Sequence, residues 1–276
     1  MKCYVMSDIH IDFYSVQTRN YDTILPNFED QYKRMFVPAD AILIAGDVAN
    51  DYYTQVMFYK FICTKYKDVF VTFGNHDLVV LGATFGNGNP FKTSEEKIQA
   101  IKNDMASYKN FHLLDGDVVN NIGGTMGMCD FSYQAHGFES PIALKQTWLY
   151  TWFDGRHWNY FKNDTDKILA SEKAKIEKAL EQKPKVMMTH FCPLQMGVQQ
   201  CYALDTATAF FYFDGKEYLD KMEDGSYWIC GHTHDRWKTD YVNKDGKTIH
   251  ILCNPMGYPN ENNNTSLNKE DYLIDV

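Results

Sequence analysis

The stretch VFVTFGNHD, residues 69–77, joins a run of apolar and β-branched residues directly to Gly74, Asn75, His76 and Asp77. A run that does not alternate with polar residues predicts a strand buried on both faces. Further runs of this kind lie at Cys3–Met6, Ala41–Ile44, Val186–Thr189 and Tyr227–Cys230. Because polar, helix-compatible stretches separate the runs, the chain is predicted to be an α/β protein.

The rest of the sequence predicts helices around these strands and a second sheet. Helices are predicted at Tyr52–Tyr66, Ser94–Tyr108 and Asp164–Gln182. Between Phe111 and Met128, Asp-Gly and Gly-Gly pairs separate short strands, which favours hairpins. Since no repeat or linker divides the chain, we expect residues 1–276 to form one catalytic domain.

Each of the five predicted strands is followed by side chains that can bind a metal. These are Asp8, His10, Asp47, Asn75, His190, His232 and His234. Functional groups collect at the carboxyl ends of strands in α/β sheets, so we expect these side chains to converge. On an extended chain, Asp8 and His10 point the same way, as do His232 and His234. Gly46, Gly74 and Gly231 are expected where the backbone turns sharply or is approached closely.

The mixture of carboxylate, imidazole and amide ligands, without a thiolate, favours Mn, Fe, Zn, Ni or Co over a closed structural zinc site. Seven ligands are too many for one ion. They fit two divalent or trivalent ions that share a carboxylate, for which Asp47 is the natural bridge.

The ordered motifs D-x-H, G-D, G-N-H-D, H and G-H-x-H, spanning residues 8–234, resemble those of the calcineurin-like metallophosphoesterase superfamily. The resemblance implies a four-layered α/β/β/α sandwich and the hydrolysis of a phosphate ester. It implies one ion held by Asp8, His10 and His234 and a second held by Asn75, His190 and His232, with Asp47 between them.

The same resemblance makes His76 the general acid, facing the oxygen of the leaving group. In-line attack by a hydroxide that the two ions share is our mechanistic hypothesis. The phosphoprotein phosphatase branch carries an Arg before GNHE, whereas Phe73 stands there in this chain, so that activity is disfavoured. Asn50 replaces the Asp that orients the catalytic His of that branch. Either Asn50 or another group, such as Asp77, is therefore expected to orient His76.

The composition indicates which kinds of substrate the protein binds and in which compartment it is found. A formal net charge of -9 disfavours binding of extended nucleic acid. The seven cysteines lack CxxC spacing, which indicates thiols in a reducing compartment. With neither a signal peptide nor a membrane-length apolar run, we expect a cytoplasmic protein with no membrane partner. The sequence leaves the oligomeric state open.

The aromatic segment WLYTWFDGRHWNYF, residues 148–161, carries two candidate substrate-binding residues, Arg156 and His157. The alternative, which we favour, is an inserted helix or loop whose aromatic rings pack on the core. His112, His136 and His250 lie outside the motifs and are expected to have no role in the site. Segment 82–90 is expected to be a turn, Cys192 to be structural, and the segment from Asn254 to border the site.

The activity favoured here is that of a phosphodiesterase acting on a small, nucleotide-like substrate. A phosphomonoesterase or a nuclease on the same metal core remains an alternative. A non-catalytic metal-binding scaffold is disfavoured because the ligand set is complete and His76 is present.

Overall fold

A computed structural model describes residues 1–80, 90–133, 139–195, 205–261 and 268–276. In these ranges two β-sheets are flanked by helices, which confirms the predicted fold. The first sheet has five strands: β1 (Lys2–Met6), β2 (Ala41–Ala45), β3 (Asp68–Thr72), β4 (Phe111–Leu113) and β11 (Leu273–Asp275). Their order is β11-β1-β2-β3-β4.

The second sheet has six strands: β5 (Asp117–Val119), β6 (Ile122–Gly124), β7 (Val186–Met188), β8 (Ser226–Cys230), β9 (Trp237–Val242) and β10 (Thr248–Cys253). Their order is β5-β6-β7-β8-β10-β9. Strands β5 and β6 form the expected hairpin, whose turn residues Asn120 and Asn121 are both left-handed. Strand β4 instead pairs in parallel with β3 of the first sheet.

The helices are α1 (Tyr21–Met35), α2 (Tyr52–Ile62), α3 (Ser94–Met105), α4 (Pro141–Thr151), α5 (Phe153–His157), α6 (Thr165–Leu180) and α7 (Lys216–Leu219). The three predicted helices are confirmed as α2, α3 and α6. Each begins after a side chain that caps a backbone N–H: Asp51, Thr93 and Asp164 respectively. Helix α1 is absent from the prediction, and it contains Pro26, a residue that usually disfavours the interior of a helix. Among the described residues, no helix has the length and apolar character needed to cross a membrane.

The five predicted strands are all present, as β1, β2, β3, β7 and β8. They are mostly apolar because both faces of each sheet are covered, and β2 is buried along its whole length. Strands β1 to β3 run parallel to one another, as do β7 and β8. Their carboxyl ends therefore bring the loops that follow them to one edge of each sheet.

Candidate metal centre

The seven predicted ligands lie in the loops directly after β1, β2, β3, β7 and β8. Six of them are buried, and His234 is partly exposed. The candidate ligand atoms of six of them, all but Asn75, form two groups, each within 4.8 Å. One contains Asp8, His10, Asp47 and His234, and the other contains Asp47, His190 and His232. Asp47 belongs to both groups, so it lies where a bridging carboxylate would be needed.

The two oxygens of Asp47 have different surroundings. Oδ1 accepts a hydrogen bond from the backbone N–H of His76 at 2.8 Å. Oδ2 is buried with no hydrogen-bond partner among the described residues, 3.2 Å from His190 Nε2 and 3.8 Å from His10 Nε2. Burial opposes ionisation of Asp47, but His190 and its neighbours hold the pKa of Asp47 well below its usual range. A buried anionic oxygen among imidazoles fits a shared cation.

Hydrogen bonds to backbone carbonyls fix which nitrogen of two histidines carries a proton. His190 Nδ1 lies 2.8 Å from the oxygen of Ala45, and His232 Nε2 lies 3.1 Å from that of Phe210. Because a carbonyl only accepts, these nitrogens donate, and the other nitrogen of each neutral ring carries the lone pair.

For His190 that other nitrogen is Nε2, which lies 2.9 Å from Asn75 Oδ1. A proton or a metal cation has to separate this nitrogen from the oxygens around it. Burial favours the neutral ring, yet Asp47 raises the pKa of His190 to about 10. The donor set therefore suits a cation.

A carboxylate holds one of the two histidines of the other group, His234. His234 Nδ1 donates to Glu261 Oε2 at 2.8 Å, which leaves Nε2 only 3.0 Å from His10 Nε2. Two imidazole nitrogens at this distance suit a common cation, and metal-binding histidines commonly donate their second N–H to a carboxylate. Glu261 lies beyond the motifs, and its place in YPNENNN gave no signal of this role.

The backbone is left-handed at five of the seven predicted ligands. Their φ angles are 48° at Asp8, 43° at His10, 56° at Asp47, 69° at His232 and 51° at His234. The extended geometry predicted for Asp8-x-His10 and His232-x-His234 is therefore wrong. The paired side chains lie in irregular loops after the strands, and such residues cluster at functional sites.

Two glycines leave room for the ligands, as predicted. A Cβ at Gly74 would collide with Asp47 Oδ1, and a Cβ at Gly46 would lie 2.6 Å from His190 Nδ1. Gly46 also has a φ of 83°, which a side chain would strain. The loops after β2 and β3 pack this closely only without side chains at these positions.

Asn50 is the residue that orients His76. Its Oδ1 accepts a hydrogen bond from His76 Nδ1 at 2.8 Å, while its Nδ2 donates to Asp12 Oδ2 at 3.3 Å. The Asp12 carboxylate can only accept, so it fixes which end of the amide faces His76. Burial lowers the pKa of His76 to about 4. Nε2 of the ring lies 3.3 Å from the hydroxyl of Tyr258.

Asp77, the other candidate for orienting His76, has a different role. Its carboxylate accepts hydrogen bonds from the backbone N–H groups of Asp47, Val48 and Gly74 at 2.8 to 2.9 Å. The side chain of Gln55 also donates to it at 2.8 Å. Asp77 thus fixes the loops that carry the predicted ligands.

Aromatic rings wall the cleft beside the ligands, which has a volume of about 580 Å³. Trp152, Phe153, Phe211 and Tyr258 line it together with Glu261. Phe153 stacks on His76 with ring centres 4.6 Å apart, and Tyr258 stacks on His10 at 4.4 Å. Segment 148–161 therefore packs on the core through Trp148 and Trp158 and lines the cleft through Trp152 and Phe153. The segment from Asn254 borders the cleft, as expected.

The two candidate substrate-binding residues are not among the described residues that line the cleft. Arg156 is exposed, and His157 stacks at 4.3 Å on Phe153, which lies between it and His76. Their role stays a prediction.

The other residues singled out in the sequence, where the structure describes them, make contacts outside the predicted ligand set. His112 contacts Asp68 and His250 contacts Asp240, at 2.9 and 2.7 Å. Cys192 is a buried thiol whose pKa is raised by burial. His136 and most of segment 82–90 lie outside the described residues.

Comparisons with known proteins identify a family and a similar fold. The family model for calcineurin-like phosphoesterases matches residues 1–236. A search of curated proteins found no match. Among solved structures, the crystal structure of phosphopantetheinyl hydrolase (PptH) from Mycobacterium tuberculosis is similar, with a TM-score of 0.72. The two share 17% sequence identity, and the similarity covers 100% of this chain and 95% of that chain. At this identity the similarity concerns the fold alone.

Proposed function

Because the chain belongs to the calcineurin-like phosphoesterase family, we propose that it hydrolyses a small, nucleotide-like phosphodiester in the cleft beside His76. Metal-dependent hydrolysis of a phosphoester follows from the family. The proposal about the substrate depends on the wall of the cleft. Four aromatic rings line it, and the part of the lining that the structure describes contains neither Lys nor Arg.

The charge of the substrate favours a diester over a monoester. A phosphomonoester carries between one and two negative charges at neutral pH, and proteins commonly meet such groups with the forked guanidinium of Arg. A diester carries one negative charge and adds a second ester substituent, for which Trp152 and Phe211 offer apolar surface. The net charge of -9 gives no support to a nuclease that binds a long polyanion.

The proposed ligands form two sets around Asp47. Asp8, His10 and His234 would hold one ion, and Asn75, His190 and His232 would hold the other. Their nitrogen and oxygen atoms suit Mn, Fe, Zn, Ni or Co. When bound, two such ions would supply a water nucleophile at neutral pH and would neutralise charge on the phosphoryl oxygens.

His76 is proposed as the general acid. Asn50 accepts from Nδ1 of the ring, so delivery of a proton to the oxygen of the leaving group falls to Nε2 of the doubly protonated ring. Since burial lowers the pKa of His76 to about 4, the ring acts as an acid only where the anionic substrate raises that pKa. Phe153 and His10 pack against the ring from two directions, which limits its motion. The neutral amide of Asn50 orients the ring without adding the negative charge that a carboxylate would bring.

We propose further that residues 1–276 form a single catalytic domain. The family model ends at residue 236, yet Tyr258 and Glu261 contact His10 and His234 respectively. The final segment would thus complete the site. A cytoplasmic location is proposed because the six cysteines in the described ranges are free thiols.

A panel of substrates with added Mn²⁺, Ni²⁺ or Zn²⁺ tests the activity. It compares bis(p-nitrophenyl) phosphate, p-nitrophenyl phosphate, cyclic nucleotides and short oligonucleotides. A phosphopantetheinyl diester is included because the structural neighbour is named a phosphopantetheinyl hydrolase. We expect a higher kcat/KM for a small diester than for the monoester or the oligonucleotide. Preference for the monoester would refute the diester proposal, and hydrolysis of none of them would favour the scaffold.

A further inference from the structure

The aromatic segment 148–161 contains one fully buried carboxylate, Asp154, in the short helix α5. Its Oδ1 accepts a hydrogen bond from Asn75 Nδ2 at 2.8 Å. Its Oδ2 is buried and has no hydrogen-bond partner within the described ranges. Burying a carboxylate with so few partners destabilises a fold, and an apolar side chain would pack in this segment without that cost. The contact with Asn75 is therefore the feature that accounts for an acid here.

This contact decides which end of the Asn75 amide faces the predicted ligands. The oxygen and nitrogen of an Asn amide have nearly the same shape, so rotation by half a turn exchanges them with little steric change. Oδ1 of Asp154 is the acceptor in this contact, so the NH₂ end of Asn75 faces Asp154. Oδ1 then points to the opposite side, where it lies 2.9 Å from His190 Nε2. The oxygen is also the end of the amide that can bind a metal.

The rest of the segment holds the backbone of the same residue. The indole N–H of Trp158 donates to the backbone oxygen of Asn75 at 2.7 Å. Trp158 is fully buried and packs against Trp148 with ring centres 5.5 Å apart. Segment 148–161 thus fixes the backbone of Asn75 through Trp158, and its side chain through Asp154.

We propose that Asp154 is a positioning residue that directs the oxygen of Asn75 toward the metal position formed by Asp47, His190 and His232. Occupancy of this position then depends on Asp154, whereas occupancy of the position at Asp8, His10 and His234 does not. The inference rests on the proposed function only in that the cleft binds two metal ions. Any role for Asp154 in hydrolysis follows from metal binding, since the side chain reaches no described wall of the cleft.

The test measures metal binding directly. Wild type, Asp154→Ala and Asp154→Asn are stripped of metal and titrated with Mn²⁺ by calorimetry, and bound metal is counted by mass spectrometry after dialysis. We expect Asp154→Ala to weaken one of two sites about 10- to 100-fold, the range found when a group that supports a ligand is removed. Asp154→Asn can still accept through its amide oxygen, so it should keep most of the affinity.

Two further variants separate positioning from general damage to the segment. Leu144→Ala removes a buried core side chain of α4, and at a similar fall in melting temperature it should keep both ions. Asn75→Ala should lose the same ion as Asp154→Ala, and the double variant should be no worse than Asn75→Ala alone. This cycle remains informative if Asp154→Ala folds only at low temperature.

Retention of both ions at wild-type affinity in Asp154→Ala would overturn the proposal. An equal loss of that ion in Leu144→Ala would overturn it as well. A wild type that binds two ions yet hydrolyses nothing in the substrate panel would reject the proposed function and leave this inference standing. A wild type that binds fewer than two ions would reject both.

Discussion

Replacing Asn50 by alanine should slow hydrolysis of a phosphodiester about fivefold while leaving metal content unchanged. The substitution removes the hydrogen bond, 2.8 Å long, that holds His76 Nδ1. A buried hydrogen bond between neutral groups contributes about 1 kcal/mol net, and 1.36 kcal/mol corresponds to a tenfold change in rate. The loss should appear in kcat, because Asn50 is not among the described residues that line the cleft.

The assay compares two diesters, one with a p-nitrophenol leaving group and one with an alcohol. An alcohol needs a proton as it departs, whereas p-nitrophenolate leaves readily without one, so the slowing should be larger for the alcohol. Asn103→Ala, at an exposed position of α3, is the matched control and should behave as wild type. His76→Ala should cost far more, roughly 100-fold or above for the alcohol.

The decisive comparison is the double variant. If Asn50 acts only through His76, adding Asn50→Ala to His76→Ala should change the rate no further. A full additional fivefold loss in the double variant would refute the reasoning. Equal slowing of both leaving groups would do the same, because it would mean that Asn50 serves the stability of the site and not proton donation.

Three other substitutions test separate parts of the structure. Glu261→Gln should weaken metal binding roughly tenfold, measured by Mn²⁺ titration, because the amide supports His234 less well than the carboxylate does. Trp152→Ala should raise the KM for a nucleotide-like diester severalfold with little change in kcat, and unchanged kinetics would contradict an aromatic substrate wall. Lys175→Met should lower the free energy of unfolding by roughly 2 kcal/mol at pH 7, measured with urea, since it removes the ion pair of the buried Glu172 and one of the two ion pairs of the partly buried Asp115. Burial opposes ionisation of Asp115, but Lys175 holds the pKa of Asp115 below its usual value. The stability that this ion pair contributes is present above about pH 4 and is lost at lower pH, so the effect of the substitution on the free energy of unfolding should shrink there.

The strands and the ligand-bearing loops could be predicted because their signals are local. A buried parallel strand is mostly apolar, and each of the five runs is followed within a few residues by a polar side chain that an apolar core would exclude. The order of the motifs then predicted which side chains converge. The groups that support them could not be predicted in this way. Asp154 and Asn75 are 79 residues apart, and no local pattern records their contact.

Two features differ from what the local sequence predicts, and each difference has a physical reason. Helix α1 contains Pro26, whose ring would ordinarily disfavour a helix interior, but Asn20 caps its start and Phe28 is buried against the core. The geometry of Asp8 and His10 followed neither strand nor helix rules, because both residues adopt the left-handed backbone. In both places tertiary contacts outweighed the intrinsic preference of the chain.

The left-handed ligand positions imply a conflict between heat resistance and catalysis. Each costs the metal-free fold about 1 kcal/mol, and glycine would relieve that strain at any of them. A directed-evolution screen that rewards a higher melting temperature in the presence of a chelator would therefore favour the loss of these side chains. Stabilised variants of this enzyme should accordingly be selected with turnover as the readout, so that gains come from the helices and loops remote from the cleft.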